Sequence, residues 1–430
     1  MVSDGVRDAL AAACGGADRV RTAGPADTVA GVAPRWVVAP DTAEQVAAVL
    51  SVAAKRGLAV VARGAGTKLD WGAPPERVDL VLDTRRLAGV REHAPGDLVV
   101  TVGAGTPLAD LRAVLARAGQ RLALDPASEA DGATVGGVLA AGEAGPLRLR
   151  FGAGRDLLIG AEFVRADGVA ARSGGRVVKN VAGYDVGRLL CGSYGTLAVI
   201  TAATFRLHPL PAARRYVCRA AATPREAAEL VGAVLASPAA PVAAEVDVPA
   251  DRAGPGAPVQ VAVLVEGTPA GVDARAGELA RVLGPDASIV DRAPEWWGRY
   301  PFGAGDVALK VAAPVTGWPA ALEALRSAVA AVGDAPAKPA VAARGSAGTG
   351  VVYAALPGDT PAAAVAAALD AARGALADTG GSCVVLASPA SMRDVLDRWG
   401  PVPGLDLMRR VKERFDPGRV LSPGRFVGGI

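Results

Sequence analysis

The sequence predicts an α+β protein that is divided into more than one domain. At 430 residues, the chain is longer than a single hydrophobic core usually supports. The first half alternates short apolar runs, typical of buried strands, with stretches whose apolar residues repeat at helical spacing. From about residue 212 the texture changes to Ala-rich helical and Val-rich strand patterns, which Pro/Gly/Ala stretches at 250–258 and 333–350 interrupt. We therefore expect two α+β domains that meet near residue 211.

The first recognisable unit is a compact βαβ pattern at residues 36–63. The run Trp36–Pro40 is typical of a short buried strand. Thr42 and Gln45 have the spacing of a capping box, which predicts a helix that begins after Thr42 and ends at Gly57. The run LAVVARG then predicts a strand that returns beside the first.

Two strands and a helix follow this unit. Apolar runs predict strands at 78–83 and 98–102. Thr106 is placed to cap a helix, Pro107 to open it and Gly119 to end it.

A hairpin and a distinct C-terminal tail complete the pattern. Residues 159–165 and 169–172 predict a hairpin around an Ala-Asp-Gly turn, followed by a short helix at 185–190 and a strand at 197–207. Residues 407–426 predict a basic amphipathic helix and two Pro-Gly turns. Because this tail breaks with the Ala-rich texture before it, we expect it to pack away from the second domain.

Charge and hydropathy exclude several classes of protein. The net charge of +3 includes no basic block, and no aromatic residues interleave with a positive stripe, so a nucleic-acid surface is not expected. A small anionic ligand is still compatible with this charge. No apolar run approaches the roughly 18 residues of a membrane span, so we expect no direct membrane insertion. The N-terminus lacks a cationic start followed by an apolar run, which favours the cytoplasm, with any membrane association arising through partners.

Cysteine and histidine are both scarce. The chain has four cysteines, Cys14, Cys191, Cys218 and Cys383, and two histidines, His93 and His208. The cysteines lie far apart without a CxxC motif, so alone they build neither an iron–sulfur cluster nor a zinc site, and we expect buried, reduced thiols and no metal centre.

Three glycine-rich segments follow predicted strands, at 63–68, 133–146 and 174–201. Such loops expose main-chain N–H groups without a Cβ in the way, and they commonly bind phosphate oxygens. A single such loop is more often a tight turn, but three in one domain favour a large phosphate-bearing cofactor. The sequence has no GxxxxGK[ST] motif and no GxGxxG after a strand, so neither a phosphate-loop NTPase nor a classical dinucleotide fold is expected.

The motif combination in the third loop identifies a family. Residues 125–211, with KNVAGYD and GSYGTL, resemble the FAD domain of the vanillyl-alcohol-oxidase/PCMH-type FAD-linked oxidases, and within them the FAD-binding subunits of glycolate oxidases. The WVVAPDTAEQVAAVL and FDPGRVLSPGRF segments resemble the same family. The resemblance implies a two-subdomain PCMH-type FAD-binding domain at 36–211 after an N-terminal segment at 1–35. An α+β cap domain at 212–400 follows, and a C-terminal segment at 401–430 returns to the FAD domain.

The resemblance also implies a set of residues that bind FAD. These are Arg63, Gly64, Ala65, Gly66 and Thr67 around the pyrophosphate, Pro126, Thr134, Val135, Gly136 and Gly137 on a second wall, and Lys179, Asn180, Gly195, Thr196 and Ile200 near the flavin or its ribityl chain. In related flavoproteins, a histidine in the first loop can bond covalently to the flavin. Thr67 stands at that position here, so we expect non-covalent FAD.

Several further residues allow two interpretations. Lys179, Asn180, Tyr184 and Asp185 either contact the cofactor or fix the loop geometry, and a lysine beside a reduced flavin favours its anion. Arg155 and Asp156 are expected to form a structural ion pair. At Ser422, relatives usually carry Asn in the closing turn, and we expect this difference to have a modest effect on contacts to the flavin.

The residues for catalysis cannot be named from the sequence. Relatives that oxidise 2-hydroxy acids resemble each other in a histidine-rich, metal-assisted site, whereas His93 and His208 are expected to be non-catalytic. In the second domain, Tyr300 and Arg344 are candidate substrate contacts. The alternative for Tyr300, as for Trp296 and its aromatic neighbours, is a place in the core or at a subunit interface. The alternative for Arg344 is a solvated surface position.

The function expected from the resemblance is that of an FAD-binding subunit of a glycolate oxidase-like 2-hydroxy-acid dehydrogenase, which works with a sister flavoprotein and an iron–sulfur subunit. One alternative is a non-catalytic flavin-carrying scaffold in that complex, and another is a stand-alone FAD-dependent D-2-hydroxy-acid dehydrogenase. A sugar-type oxidase with covalent flavin is disfavoured by Thr67. The scarcity of histidine favours an assignment as a subunit over independent catalysis.

Overall fold

The computed structural model describes residues 2–175, 184–250, 258–331 and 340–430. The chain divides into two compact units. The first unit comprises Met1–Ala144, Gly152–Leu210 and Val402–Ile430, and the second comprises Gly145–Phe151 and Pro211–Pro401. Much of the two Pro/Gly/Ala stretches lies outside the described residues, as do Lys179 and Asn180.

Helices and strands are interspersed along the described residues. The α-helices are α1 (Val2–Ala13), α2 (Ala43–Arg56), α3 (Leu108–Ala116), α4 (Val135–Ala141), α5 (Arg148–Phe151), α6 (Gly154–Leu157), α7 (Val186–Leu190), α8 (Pro224–Ala236), α9 (Pro269–Leu283), α10 (Trp318–Ala331), α11 (Ala362–Leu376) and α12 (Leu405–Phe415). The strands of the first unit are β1 (Val20–Thr22), β2 (Trp36–Val38), β3 (Val60–Arg63), β4 (Leu80–Asp83), β5 (Val90–Ala94), β6 (Val99–Gly103), β7 (Gln120–Arg121), β8 (Leu158–Arg165), β9 (Ala170–Gly174), β10 (Ala198–Arg206) and β11 (His208–Pro209). The strands of the second unit are β12 (Ala213–Ala221), β13 (Ala243–Val248), β14 (Val259–Gly267), β15 (Ser288–Val290), β16 (Val307–Ala312), β17 (Ala342–Ser346), β18 (Val351–Leu356) and β19 (Ser382–Ala387). The predicted α+β class is confirmed.

A sheet of four described strands, in the order β1-β2-β4-β3, forms the N-terminal part of the first unit. β2, β4 and β3 are parallel, as the predicted βαβ unit requires. The Thr42 hydroxyl accepts a hydrogen bond from the Gln45 amide at 3.3 Å, and Gly57 ends α2 with φ of 63°. Val46 and Leu50 lie on the buried side of the helix, so the predicted helix is confirmed.

A second sheet of the first unit is antiparallel, with the order β5-β6-β10-β8-β9 among the described strands. Its β8–β9 hairpin turns at Gly168, where φ is 84°, as predicted. The predicted cap of α3 is wrong, because the Thr106 hydroxyl accepts from the Gly89 amide at 2.9 Å and Pro107 stands at the cap position.

The C-terminal tail lies in the first unit. The amide of Val60 in β3 donates to the Val420 carbonyl at 2.7 Å, and the Ser422 amide donates to the Val60 carbonyl at 2.8 Å. The Lys412 ammonium of α12 donates to the Thr196 carbonyl at 2.8 Å and contacts Asp416 at 2.6 Å. These bonds fix the tail beside β3 and beside the turn that precedes β10.

The second unit contains one long antiparallel sheet. Its described strands follow the order β15-β12-β14-β13-β17-β18-β16-β19. The core between this sheet and helices α8 to α11 takes alternate residues of each strand, such as Val307, Leu309 and Val311 in β16 and Val352 in β18. Residues between these positions lie on the opposite face of the sheet.

Among the described residues, no helix combines the length and the apolar character that crossing a membrane requires.

Candidate cofactor site

A cavity of about 540 Å³, partly open to solvent, lies at the end of β3 in the first unit. The lining comprises Val61, Ala62, Arg63, Gly64, Ala65, Gly66, Thr67, Lys68 and Leu69 from β3 and its loop, Thr134, Gly137, Ala140 and Ala141 from the start and body of α4, and Tyr194 and Arg425. The structure therefore brings the first glycine loop together with part of the second.

The main chain of the first loop is unusually open. Among the described residues, the amides of Ala65, Gly66 and Thr67 donate no hydrogen bond. Gly66 has φ of 85°, which only glycine adopts readily. Successive unpaired amides of this kind form a concave site for an anion.

Gly64 allows the loop to approach the start of α4. A Cβ at Gly64 would lie 2.0 Å from the Thr134 hydroxyl oxygen, a distance that no side chain can adopt. Thr134 is 3% exposed, and its hydroxyl has no hydrogen-bond partner among the described residues. Burying a hydroxyl without a hydrogen-bond partner costs free energy. A ligand that forms a hydrogen bond to this hydroxyl removes that cost, so its binding is favoured.

The Arg63 side chain stabilises the first loop through ion pairs. Its guanidinium donates to Asp27 at 2.8 Å and to Asp83 at 3.0 Å, and only 8% of the side chain is exposed. Arg21 also bonds Asp27, at 2.6 Å, and this hydrogen bond is the main cause that holds the pKa of Asp27 well below its usual range. Because its charge is already compensated, Arg63 is best placed to contact a ligand through its main chain.

Lys68 is a charged lining residue that the sequence reasoning missed. Its ammonium lies 3.5 Å from the Glu143 carboxylate, which is fully buried, and 4.7 Å from the centre of the Trp71 ring. Burial lowers the pKa of Lys68, and the Glu143 charge opposes this shift. Glu143 is itself held by the Ser128 amide at 3.1 Å. The signal in the sequence was a lysine directly after the RGAGT loop.

Arg425 and Tyr194 close the cavity from distant parts of the chain. Arg425 donates to the Leu69 carbonyl at 2.9 Å and to the Trp71 carbonyl at 2.6 Å, and so ties the tail to the first loop. Tyr194 adopts φ of 55°, unusual for a residue with a side chain, and its amide donates to Ala140 at 2.9 Å. No local pattern predicts either contact.

Other predicted cofactor residues lie outside this cavity. They are Pro126, Val135, Gly136, Gly195, Thr196 and Ile200. A Cβ at Gly136 would lie 2.8 Å from that of Ala104, so this glycine permits close packing of α4. The Thr196 hydroxyl donates to the Ser193 carbonyl at 2.7 Å, and Gly195 lies beside Ser422. The Ser422 hydroxyl is buried and has no described hydrogen-bond partner.

Residues 184, 185, 155 and 156, whose roles the sequence left open, make contacts within their own segments. Tyr184 is 95% exposed, and Asp185 caps α7 by accepting from the Arg188 amide at 3.2 Å. Arg155 and Asp156 form only a loose ion pair, at 3.9 Å, and the Asp156 carboxylate accepts from the Ala153 amide at 2.9 Å. Asp185 and Asp156 thus both fix the start of a short helix.

Neither histidine lines the cavity. His93 lies 2.9 Å from the Gln120 side-chain oxygen, and burial lowers the pKa of His208. All four cysteines are free, and burial raises the pKa of Cys14, Cys191 and Cys383 to about 12, so these thiols stay protonated at neutral pH. No group of three or more metal-ligating side chains occurs within residues 2–175, 184–250, 258–331 and 340–430.

Tyr300 and Arg344 lie together in the second unit. Arg344 donates to Asp247 at 2.7 Å and to the Tyr300 carbonyl at 3.2 Å. The Tyr300 ring stacks on Phe302 at 4.7 Å and meets the Tyr353 ring edge-on at 4.8 Å. Arg344 is therefore neither a solvated surface residue nor an uncompensated charge.

Comparison with known proteins identifies the domain around the cavity. Residues 34–174 match the family described as FAD binding domain. Glycolate oxidase subunit GlcE of Escherichia coli is 40% identical over 154 residues, which are 36% of this chain and 43% of that protein. D-lactate dehydrogenase of Archaeoglobus fulgidus is 39% identical over 183 residues, 41% of each chain. The chain thus spans less than half the length of these relatives.

Solved structures with little sequence identity to this chain share its fold. The crystal structure of p-cresol methylhydroxylase with substrate bound covers 98% of this chain and 96% of its own, with a TM-score of 0.75 and 16% identity. The predicted PCMH-type fold and the resemblance to FAD-linked oxidases are confirmed. Residues 34–174 form an FAD-binding domain, and the predicted cofactor, FAD, is confirmed for it.

Proposed function

We propose that this chain, which carries an FAD-binding domain at residues 34–174, is the FAD-binding subunit of a glycolate oxidase-like 2-hydroxy-acid dehydrogenase. The observation that carries the proposal is the cavity within that domain, whose wall combines open amides with an unpartnered hydroxyl. The names of the two sequence relatives specify glycolate and D-lactate, which are both small 2-hydroxy acids. A small 2-hydroxy acid is therefore the substrate that we propose.

The residues of the cavity fit the phosphate part of FAD. In this proposal, the amides of Ala65, Gly66 and Thr67 and the hydroxyl of Thr134 donate to phosphate oxygens. The Lys68 ammonium lies at the same wall, where the Glu143 carboxylate compensates its charge. When bound, FAD supplies the two-electron redox chemistry that amino-acid side chains lack.

The other residues of the predicted FAD set stay predictions. They are Arg63, Gly64, Pro126, Val135, Gly136, Gly137, Lys179, Asn180, Gly195, Thr196 and Ile200. Arg63 and Gly64 support the proposal by positioning the loop, since one is ion-paired and the other permits close approach to Thr134. We also propose that the second unit is the cap domain, to which Tyr300 and Arg344 contribute.

We propose that FAD is bound without a covalent bond. Thr67 stands where a loop histidine would be needed, and a threonine hydroxyl does not form such a bond to flavin. We expect acid precipitation of the yellow protein to release all flavin absorbance into the supernatant. Colour that remains with the precipitated polypeptide would refute this part of the proposal.

The proposal includes partner proteins. The relative named as a glycolate oxidase subunit supports a complex, and we propose a sister flavoprotein and an iron–sulfur subunit as its other members. The four cysteines support the second partner, because they are scattered along the sequence and do not form a CxxC motif. Electrons from the flavin would then leave through that partner.

A stand-alone D-2-hydroxy-acid dehydrogenase is the second candidate, and the Archaeoglobus relative favours it. Anaerobic addition of glycolate or D-lactate to the FAD-loaded chain separates the two. Bleaching of the flavin absorbance in the isolated chain supports independent catalysis, whereas bleaching only after addition of partner subunits supports the subunit. No bleaching under either condition, with any small 2-hydroxy acid, contradicts both.

A further inference from the structure

A second, apolar cleft lies on the surface of the first unit. It has a volume of about 710 Å³ and is partly open to solvent. One wall is a face of α12, and the rest comes from the end of α7 and the turn at residues 191–197. The apolar side chains that line it include Leu189, Leu197, Leu407, Met408, Val411 and Phe426.

The residues of this apolar cleft expose large side chains to water. Leu407 is 58% exposed and Leu189 is 43% exposed, and they belong to two different helices. A single exposed leucine is ordinary, but two that line the same cleft extend its apolar surface outward. Burial of that surface against another molecule would be favourable, so the cleft suits an apolar occupant.

Two arginines beside the cleft carry positive charge that no carboxylate compensates. Arg410 and Arg414 are exposed and form no hydrogen bond or ion pair with any residue that the structure describes. Each stands three positions after a cleft residue, Leu407 for Arg410 and Val411 for Arg414. Side chains at this spacing are neighbours on a helix, so both arginines flank the apolar cleft.

The exposed acidic residues of α12 do not neutralise this flank. Asp406 pairs with Arg409 at 3.4 Å. Glu413 stands three positions after Arg410, yet the two side chains form no ion pair. The flank therefore favours an occupant that carries negative charge beside its apolar face.

The cleft residues of α12 have the spacing of a helix–helix contact. Leu407 and Val411 are four positions apart, and Met408 lies three positions before Val411. In paired helices, the charges beside an apolar row select the partner through ion pairs with opposite charges. An amphipathic helix with acidic residues beside its apolar face would fill the cleft and meet both arginines.

We propose that the apolar cleft docks an acidic amphipathic helix of a partner protein. The choice of a protein as occupant rests on the proposed function, which includes a complex. The position of the cleft fits a partner that receives electrons from the flavin. Phe426 lines the cleft and Tyr194 lines the cofactor cavity, and their ring centres are 5.6 Å apart. A docked helix would thus be separated from the cofactor cavity by one pair of rings.

The experiment measures binding of two synthetic helical peptides to the FAD-loaded protein by fluorescence anisotropy. Both peptides carry the same face of leucines, which glutamates flank in one and lysines in the other. We expect the glutamate peptide to bind and the lysine peptide not to bind. Arg410→Met combined with Arg414→Met should weaken binding roughly 2- to 30-fold, as expected for the loss of two exposed ion pairs. The same substitutions should remove most of the dependence of binding on salt.

A second variant tests the apolar part of the cleft. Leu407→Gln should weaken binding roughly three- to tenfold, because it removes apolar contact area. Its matched control is Val395→Gln, at a side chain of the second unit that is 61% exposed. Arg225→Met combined with Arg281→Met, at exposed positions of α8 and α9, is the matched control for charge. Both controls should leave peptide binding unchanged, and an unchanged unfolding temperature separates all these results from misfolding.

Several outcomes would overturn the proposal. Absence of binding by the glutamate peptide would do so, as would equal binding of the two peptides or equal binding by the cleft variants. Displacement of the peptide by laurate or by phosphatidylglycerol vesicles would assign the cleft to an acyl chain or a membrane instead. A dimer that Leu407→Gln dissociates would assign it to a second copy of this chain.

Flavin bleaching by glycolate is measured separately, so the two proposals can fail independently. Bleaching that requires partner subunits, without binding of the glutamate peptide, refutes this docking surface alone. Binding of the glutamate peptide without bleaching in any assembly, with any small 2-hydroxy acid, refutes the proposed function alone.

Discussion

The unpartnered hydroxyl of Thr134 predicts that two variants of this residue rank in opposite order in two assays, one of stability without FAD and one of FAD affinity. Thr134→Ala and Thr134→Ser both remove the same methyl group, and they differ only in whether a hydroxyl remains. Thr134 makes no capping hydrogen bond to α4, so the difference between the variants reports the hydroxyl in the cavity. Without FAD, a buried hydroxyl that lacks a partner costs about 1–3 kcal/mol. The alanine variant should therefore be more stable than the serine variant by that amount when the cofactor has been stripped.

With FAD the order should reverse. A hydrogen bond from the hydroxyl to a phosphate oxygen contributes about 0.5–1.5 kcal/mol or more, which corresponds to roughly a 2- to 13-fold tighter Kd for the serine variant. The stability difference is measured by urea unfolding of the stripped proteins, and the affinity by quenching of flavin fluorescence. Equal FAD affinity in the two variants would refute the assignment of Thr134 as a ligand group. A stripped alanine variant that is less stable than the serine variant would show that the hydroxyl is satisfied without FAD.

Three further predictions follow from ion pairs and hydrogen bonds of the first unit. Lys412→Met should destabilise the protein by about 3–5 kcal/mol in urea unfolding, because it leaves the buried Asp416 carboxylate without its cation. Asp416→Asn in the same chain should recover part of the loss, because it removes the charge and keeps an oxygen that can accept from the Val420 or Leu421 amide. The pKa of Asp27 is lowered in the folded protein, so its stabilisation is present above the ordinary aspartate pKa of about 4 and is lost as the pH falls below it. Asp27→Asn should therefore flatten the acid limb of a stability–pH curve, and an unchanged limb would contradict the role of the Arg21 contact. Arg425→Met should weaken FAD binding several-fold and lower the unfolding free energy by about 1–3 kcal/mol, because two carbonyls lose their donor, and Arg425→Lys should restore little, because two separate carbonyls are bonded.

Features that depend on neighbours in sequence were predictable. The cap at Thr42 and the stop at Gly57 set α2 because both act within one helical turn. The hairpin at Gly168 and the open loop of residues 63–68 likewise depend on the positive φ angles that glycine adopts readily. The fold class and the cofactor follow from such local signals in combination with the resemblance to a known family.

Features that depend on tertiary contacts were not predictable. Thr106 has the residue type of a helix cap, yet the Gly89 amide, seventeen positions earlier, takes its hydroxyl. Lys68 is adjacent to the glycine loop, but its partner Glu143 is reached only after the chain has folded. Arg425 bonds carbonyls more than 350 positions away, and no sequence pattern specifies that distance.

The open amides of the first loop have their geometry because charged residues outside the loop hold it. Asp27 and Asp83 fix Arg63 at its start, Glu143 fixes Lys68 at its end, and Arg425 bonds the carbonyls beyond. Amides that were free to move would lose conformational entropy when a phosphate bound, whereas amides already held in place do not. Side chains that do not line the cavity, such as Asp27, Asp83 and Glu143, therefore contribute to the affinity of such a loop, and this explains why a main-chain site still constrains distant parts of the sequence.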